Sequence, residues 1–166
     1  MFKSTFVFLV IFFVSGSVLA GDGNTRFIYS SFEFYVPSGA TVVGFHGGSD
    51  SFAFFRYGNE KTKHYLAFTD MTNEATDYGC SAKEFYGHLA GLYGPSTCSK
   101  QEIESFKKVF VQGAKVGAWL GDEFTSFYFC KDDQAFLFIF AKGKIVKIDT
   151  DYLSESALRN IVKKYI

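Results

Sequence analysis

Between Asp132-Asp133 and Lys142-Gly143 the chain reads Gln134-Ala135-Phe136-Leu137-Phe138-Ile139-Phe140-Ala141, an unbroken apolar run without polar alternation. A half-solvated strand alternates apolar and polar residues, whereas a strand covered on both faces reads as a continuous apolar segment. A helix apolar all round is the competing reading. The run is short, aromatic and β-branched, and turn-forming residues bound it on both sides, so a strand is expected. A chain with such a strand must supply cover for both faces of its sheet. That requirement constrains the fold more than any other feature.

The segments before it read as an antiparallel meander. Arg26–Val36 is a strand pattern with Phe32, Phe34 and Val36 on one face and Glu33 and Tyr35 on the other, stopped by Pro37-Ser38-Gly39. Ala40–His46, Ser51–Tyr57 and Lys63–Thr69 follow as further strands separated by glycine-containing turns, and Ser51–Tyr57 is again apolar on both faces. The period then changes. Ser81-Ala82-Lys83-Glu84 is a capping box, and Ala82, Phe85, Tyr86, Leu89, Leu92 and Tyr93 line one face of a helix ending at Gly94-Pro95. Ser99-Lys100-Gln101-Glu102 repeats the box ahead of Ile103, Phe106 and Phe110, with Gly113 as the stop. Lys115–Leu120, Phe124–Cys130, Ala135–Ala141 and Lys144–Asp149 return to strand patterns, and Ser154 caps a last helix over Ser154–Ile166. Strands and helices are segregated along the chain. The expected fold is therefore α+β: an antiparallel sheet of about six to eight strands with helices packed on both faces.

In element order the chain resembles the Mog1/PsbP-like fold. The resemblance rests on Phe32-Glu33-Phe34-Tyr35-Val36-Pro37-Ser38-Gly39, on the strand Ile145-Val146-Lys147-Ile148, and on the terminal helix that follows it. It implies an accessory or partner-binding role and transfers no catalytic residues.

Residues 1–20 read as a signal peptide. Lys3 precedes the apolar stretch Phe6–Val14, and Val18-Leu19-Ala20 offers a small-residue cleavage site before Gly21. The expectation is a secreted or periplasmic protein, with residues 21–166 forming one α+β domain and no stable membrane insertion after cleavage. Acidic and basic residues balance at 17 each, so nothing favours nucleic acid as a partner. The 22 Phe, 10 Tyr and one Trp point first to core filling and cross-strand pairing. In an exported chain, three cysteines suggest one disulfide and one remainder. Cys80 and Cys98 sit in polar context, each just before a capping box, and are expected to pair. Cys130 ends an aromatic strand and behaves as a small buried hydrophobe.

No glycine-rich phosphate loop, metal-ligand spacing or nucleophile–base pattern stands out, and no cofactor is expected. His46 and Asp50 flank Gly47-Gly48-Ser49, a loop that could present backbone amides to an anion or two ligands to a metal; with no second ligand pair at metal spacing, a hairpin turn with polar flanks is the favoured reading. Asp132-Asp133 lacks the regular loop ligands that calcium needs and reads as a hairpin tip. Asp70, Glu74 and Asp77 lie in a polar connection before Cys80, which makes them candidate partner contacts. Trp119, in a glycine-flanked segment, suits either a contact or the core. The function expected from these features is a non-enzymatic exported module that binds another protein. A small-molecule binder with an apolar, aromatic-lined pocket is the alternative, and a hydrolase would require His46 or His64 to meet Cys130 or a carboxylate.

Overall fold

The computed structural model describes residues 23–48, 51–74, 76–94, 97–132 and 134–166. The expected signal peptide, residues 1–20, lies outside them. The elements run β1 (Asn24–Tyr29), β2 (Phe32–Pro37), β3 (Val42–His46), β4 (Phe52–Arg56), β5 (Tyr65–Asp70), α1 (Ala82–Leu89) and α2 (Lys100–Phe106). After a single π turn over Lys107–Val111 come β6 (Lys115–Gly121), β7 (Phe124–Lys131), β8 (Gln134–Ala141), β9 (Lys144–Thr150) and α3 (Glu155–Val162). Seven strands form one antiparallel sheet in the order β3-β4-β5-β9-β8-β7-β6, while β1 and β2 pair separately as a two-stranded ribbon. The α+β class and the strand number agree with the sequence pattern.

The β8 run divides as its unbroken apolar character requires. Ala135, Leu137 and Ile139 join one core cluster with Phe32, Phe34 and Val36 of β2 and Leu158, Ile161 and Val162 of α3. Phe138 and Phe140 join the other, with Phe85, Tyr86 and Leu89 of α1, Ile103 of α2, and Phe127 and Phe129 of β7. Successive side chains of a strand point to opposite faces, so consecutive β8 residues serve different cores. The Tyr86 ring stacks on Phe138 at 3.9 Å, and Phe85 stands edge-on to Phe106 at 5.0 Å. In the other cluster Phe27 meets Phe55 at 4.9 Å and Phe68 at 5.0 Å, fastening the ribbon to the sheet.

Three local expectations need correction. The single strand expected over Arg26–Val36 is a hairpin, turned at Ser30-Ser31 with φ of 46° and 68°. Tight hairpin turns of this kind demand positive φ at both central residues, normally met by Asn-Gly, so Ser-Ser leaves no local signal. Tertiary contacts hold the turn instead: Ser30 Oγ donates to Asp70 Oδ2 (2.6 Å), and the Asp70 amide donates to the Tyr29 hydroxyl (2.9 Å). The first helix stops earlier than expected, at Leu89. Gly91 turns the chain with φ +74°, and Leu92 and Tyr93 leave the apolar stripe and stand partly in solvent. The last helix spans Glu155–Val162 rather than Ser154–Ile166. Its cap is as expected, with Ser154 Oγ accepting from the Ala157 amide at 3.3 Å.

Both capping boxes start helices. Ser81 Oγ accepts from the Glu84 amide (3.2 Å) and Ser99 Oγ from the Glu102 amide (3.4 Å). Cys80 and Cys98 are disulfide-bonded with Cα atoms 4.7 Å apart, tying the two helix starts together.

Candidate functional site

The three acids of the connection before Cys80 sit in different settings. Asp70 is the last residue of β5 and is half-buried, accepting from Ser30 Oγ and from the Thr72 amide (2.9 Å). Burial alone would raise its pKa, but these hydrogen bonds outweigh burial and hold the carboxyl below its ordinary value. Its chemistry is spent on the ribbon turn. Glu74 and Asp77 are exposed: Glu74 accepts from the Tyr78 hydroxyl (3.4 Å), and Asp77 takes the Gly79 amide (2.9 Å) in a local turn. Trp119 is only 8% exposed and stacks on the Tyr128 ring at 4.8 Å, so its indole belongs to the core cluster rather than to a surface. His46 closes β3, is exposed, and stacks on Phe52 at 5.6 Å. Its proposed companion Asp50 lies outside the described residues, as does Asp133.

Cys130 is the free cysteine, half-buried on β7. Burial, reinforced by the Glu155 charge, pushes its thiol up to about 11, so it is protonated at neutral pH and a poor nucleophile. It lines a cleft of about 410 Å³ with Asp132, Asp151, Tyr152 and Glu155. Two of the three acids there have work already: Asp151 takes the amides of His64 (2.9 Å) and Tyr65 (2.8 Å), and Glu155 pairs with Lys115. Among the described residues, Cys80, Glu84 and Cys98 are the group whose ligand atoms cluster closely enough for a metal, within 4.8 Å. As a disulfide, those sulfurs offer no thiolate.

The surface feature that sequence reasoning missed is the β3 edge of the sheet. Val43 and Phe45 are 62% and 69% exposed on one face, and on the other face Phe52 is 39% exposed beside His46. The registers place Val43 opposite Phe55 and Phe45 opposite Ala53, beyond the reach of the ribbon. β3 carries no charged side chain and, among the described residues, pairs with β4 alone. Natural edge strands are usually blunted by lysine, proline or covering segments. The opposite edge, β6, shows such protection: Lys115 projects from it and pairs with Glu155, and the Tyr165 carbonyl lies against Gly121 so closely that no Cβ would fit. The sequence signal for β3 was the charge-free Val42-Val43-Gly44-Phe45-His46, but strand order, which makes it an edge, is not written locally. No family model, no curated protein and no solved structure matches this chain.

Proposed function

We propose that the protein is a non-enzymatic, exported binding module that takes a strand of another protein along β3. The observation that carries the reading is the bare, charge-free β3 edge with Val43 and Phe45 in solvent. An incoming extended segment gains main-chain hydrogen bonds from the unpaired side of the strand, and side chains at alternate positions meet Val43 and Phe45. Exposed aromatic and β-branched side chains on an open strand edge are costly in aggregation risk, which favours a functional reason for keeping them. A protonated Cys130 thiol, with Asp151 and Glu155 beside it already engaged, weighs against nucleophilic catalysis at that cleft. The disulfide accords with an oxidising, extracellular or periplasmic setting. With this goes the reading of the domain as a sandwich with helices on both faces, which the division of β8 side chains between an α1–α2 cluster and an α3 cluster favours; the Mog1/PsbP-like resemblance rests on element order alone.

Affinity capture from an extracellular or periplasmic fraction tests the site when run with three baits: the wild-type domain, Phe45→Lys, and Glu74→Gln/Asp77→Asn. A stoichiometric protein retained by the wild type and the acid variant but lost by Phe45→Lys supports strand addition at β3. Loss by the acid variant with retention by Phe45→Lys moves the contact to the connection before Cys80 and sinks the β3 reading.

A further inference from the structure

A second feature sits on the α1–α2 side of the sheet, over β4 and β5, beyond where those helices reach. A cleft of about 310 Å³ is lined by Phe54, Arg56, Thr62, Lys63 and Tyr65, a size at the lower end of small-molecule pockets. Arg56 is half-buried, and its Nε is sealed from solvent with no acceptor. Arg26 and Lys164 pair with Glu33, Lys115 with Glu155, and Lys147 with Asp149. Among the described residues no carboxylate pairs with the Arg56 guanidinium, which is part-buried and has its Nε without an acceptor. Lys63 adds a second cation. Its pair with Glu60, at 3.6 Å, joins two side chains that are each about two-thirds exposed, so it yields readily to a competing anion.

The walls are held in place by independent means. Thr62 and His64 have φ of 67° and 53°, a region unfavourable for non-glycine residues and most of all for a β-branched one. Asp151 receives the amides of His64 and Tyr65 and so fixes the loop where it enters β5. Strain maintained by a specific clamp is characteristic of binding loops. On the other side, the Phe54 ring lies across Gly44, in space that any Cβ at that position would fill. The missing side chain of Gly44 lets Phe54 lie over the sheet as an aromatic wall.

We propose that this cleft binds a small organic anion bearing an aromatic ring. The planar guanidinium of Arg56 takes the carboxylate through its fork of donors, and the ring packs against Phe54 and Tyr65. The site is separate from the β3 strand-addition surface: Phe54 and Arg56 point to the opposite face from Val43 and Phe45. Failure of either reading leaves the other standing.

Phenylacetate is the probe, titrated into the isotopically labelled domain and followed by amide chemical shifts. Acetate supplies the charge without the ring, and benzyl alcohol the ring without the charge. Saturable shifts confined to residues 54–65 are expected for phenylacetate, with both controls binding at least tenfold more weakly, about the value of one charge-assisted hydrogen bond. Arg56→Gln should lose about tenfold or more in affinity. If that variant fails to fold, Arg56→Lys, which keeps the charge but not the fork, replaces it with the same direction of effect. The exposed Lys63→Gln should weaken binding by a smaller factor without touching the fold. No saturable shift with phenylacetate, equal binding by either control, or full affinity in a folded Arg56 variant would overturn the proposal.

Discussion

Phe54 of β4 and Phe136 of β8 lie in the same cross-strand row of the sheet, connected through Ala67 and Asp149; Phe52 and Phe138 share the next row, through Thr69 and Lys147. All four point to the face that carries α1 and α2, yet Phe138 is 1% exposed and Phe52 is 39% exposed. The limited reach of two short helices explains the contrast. Seven strands at about 4.8 Å spacing make a sheet about 29 Å wide. α1 and α2 are only 8 and 7 residues long, so each is about 10–12 Å in length, and two helices side by side cover about 20 Å. That is the width of about four strands. The α1–α2 cluster accordingly takes in Val116 of β6, Phe127 of β7, Phe138 of β8 and Ile145 of β9, and reaches β5 only through Met71, just past its end. Farther along β9, Lys147 and Asp149 face the same side and pair at 3.3 Å, marking the wet margin. Two apolar runs of similar composition thus have different fates, and the Arg56 cleft lies in the half of this face that the helices leave open, while Val43 and Phe45 stand on the opposite face.

The largest expected effect breaks or upholds this division directly. Phe138→Ala removes a ring stacked on Tyr86 in a dry core and should cost about 3–5 kcal/mol, whereas Phe54→Ala on the open half should cost about 1 kcal/mol or less. Urea titrations of both variants, with slopes equal to the wild type, measure the two values. A Phe54→Ala cost matching that of Phe138→Ala would mean that the open half is covered in solution, by a second copy or by another segment.

Next in size is the staple that holds the cover. The Cys80–Cys98 bridge spans 18 residues, and the chain-entropy account gives about 3 kcal/mol for a loop of that size. Cys80→Ser/Cys98→Ser should therefore lose about that much stability by urea titration. It should also raise hydrogen exchange in α1 and α2 and along Phe136–Phe140 more than along Phe52–Arg56. Uniform acceleration of exchange in both halves would show that the bridge acts on the whole domain rather than on its helical cover.

Much of the architecture was legible because it depends on local pattern. The boxes at Ser81 and Ser99, the cap at Ser154, and the unbroken apolar run of β8 between its turn residues each declare an element within a few residues. The Cys80–Cys98 pairing was readable because both cysteines precede those boxes. The Ser30-Ser31 turn was hidden because its positive φ values are stabilised from Asp70, 40 residues away. The candidate sites were hidden for a similar reason. Trp119 and Asp70 drew notice by residue type, but the first is packed on Tyr128 and the second is engaged by Ser30 and Thr72. The exposure of Val43 and Phe45 follows from β3 being last in the strand order. The open cleft at Arg56 follows from the short reach of two helices. Neither property belongs to the residues themselves.

The smallest effect sharpens a second contrast, between the outward face of the ribbon and β3. Where β3 is charge-free, the ribbon carries Glu33, which accepts from Arg26 (3.0 Å) and Tyr35 (2.7 Å) and pairs with Lys164 (3.1 Å). Hydrogen bonds from Arg26 first, then Tyr35 and Lys164, pull the Glu33 carboxyl from 4.5 down to about 2. A carboxyl more acidic in the folded than in the unfolded chain stabilises fully above its unfolded value, and that contribution disappears as pH falls from about 4.5 towards 2. Thermal melts of the wild type and Glu33→Gln should therefore differ near neutrality and converge through that window. Added salt should shrink the gap, because Arg26 and Lys164 are about half exposed or more and the pairs are screened. Phe45→Lys, which puts a charge where the sheet edge has none and no carboxylate partner is provided, should show no comparable convergence. A Glu33→Gln gap that persists unchanged to pH 2 would assign the role of Glu33 to packing of the ribbon rather than to its charge.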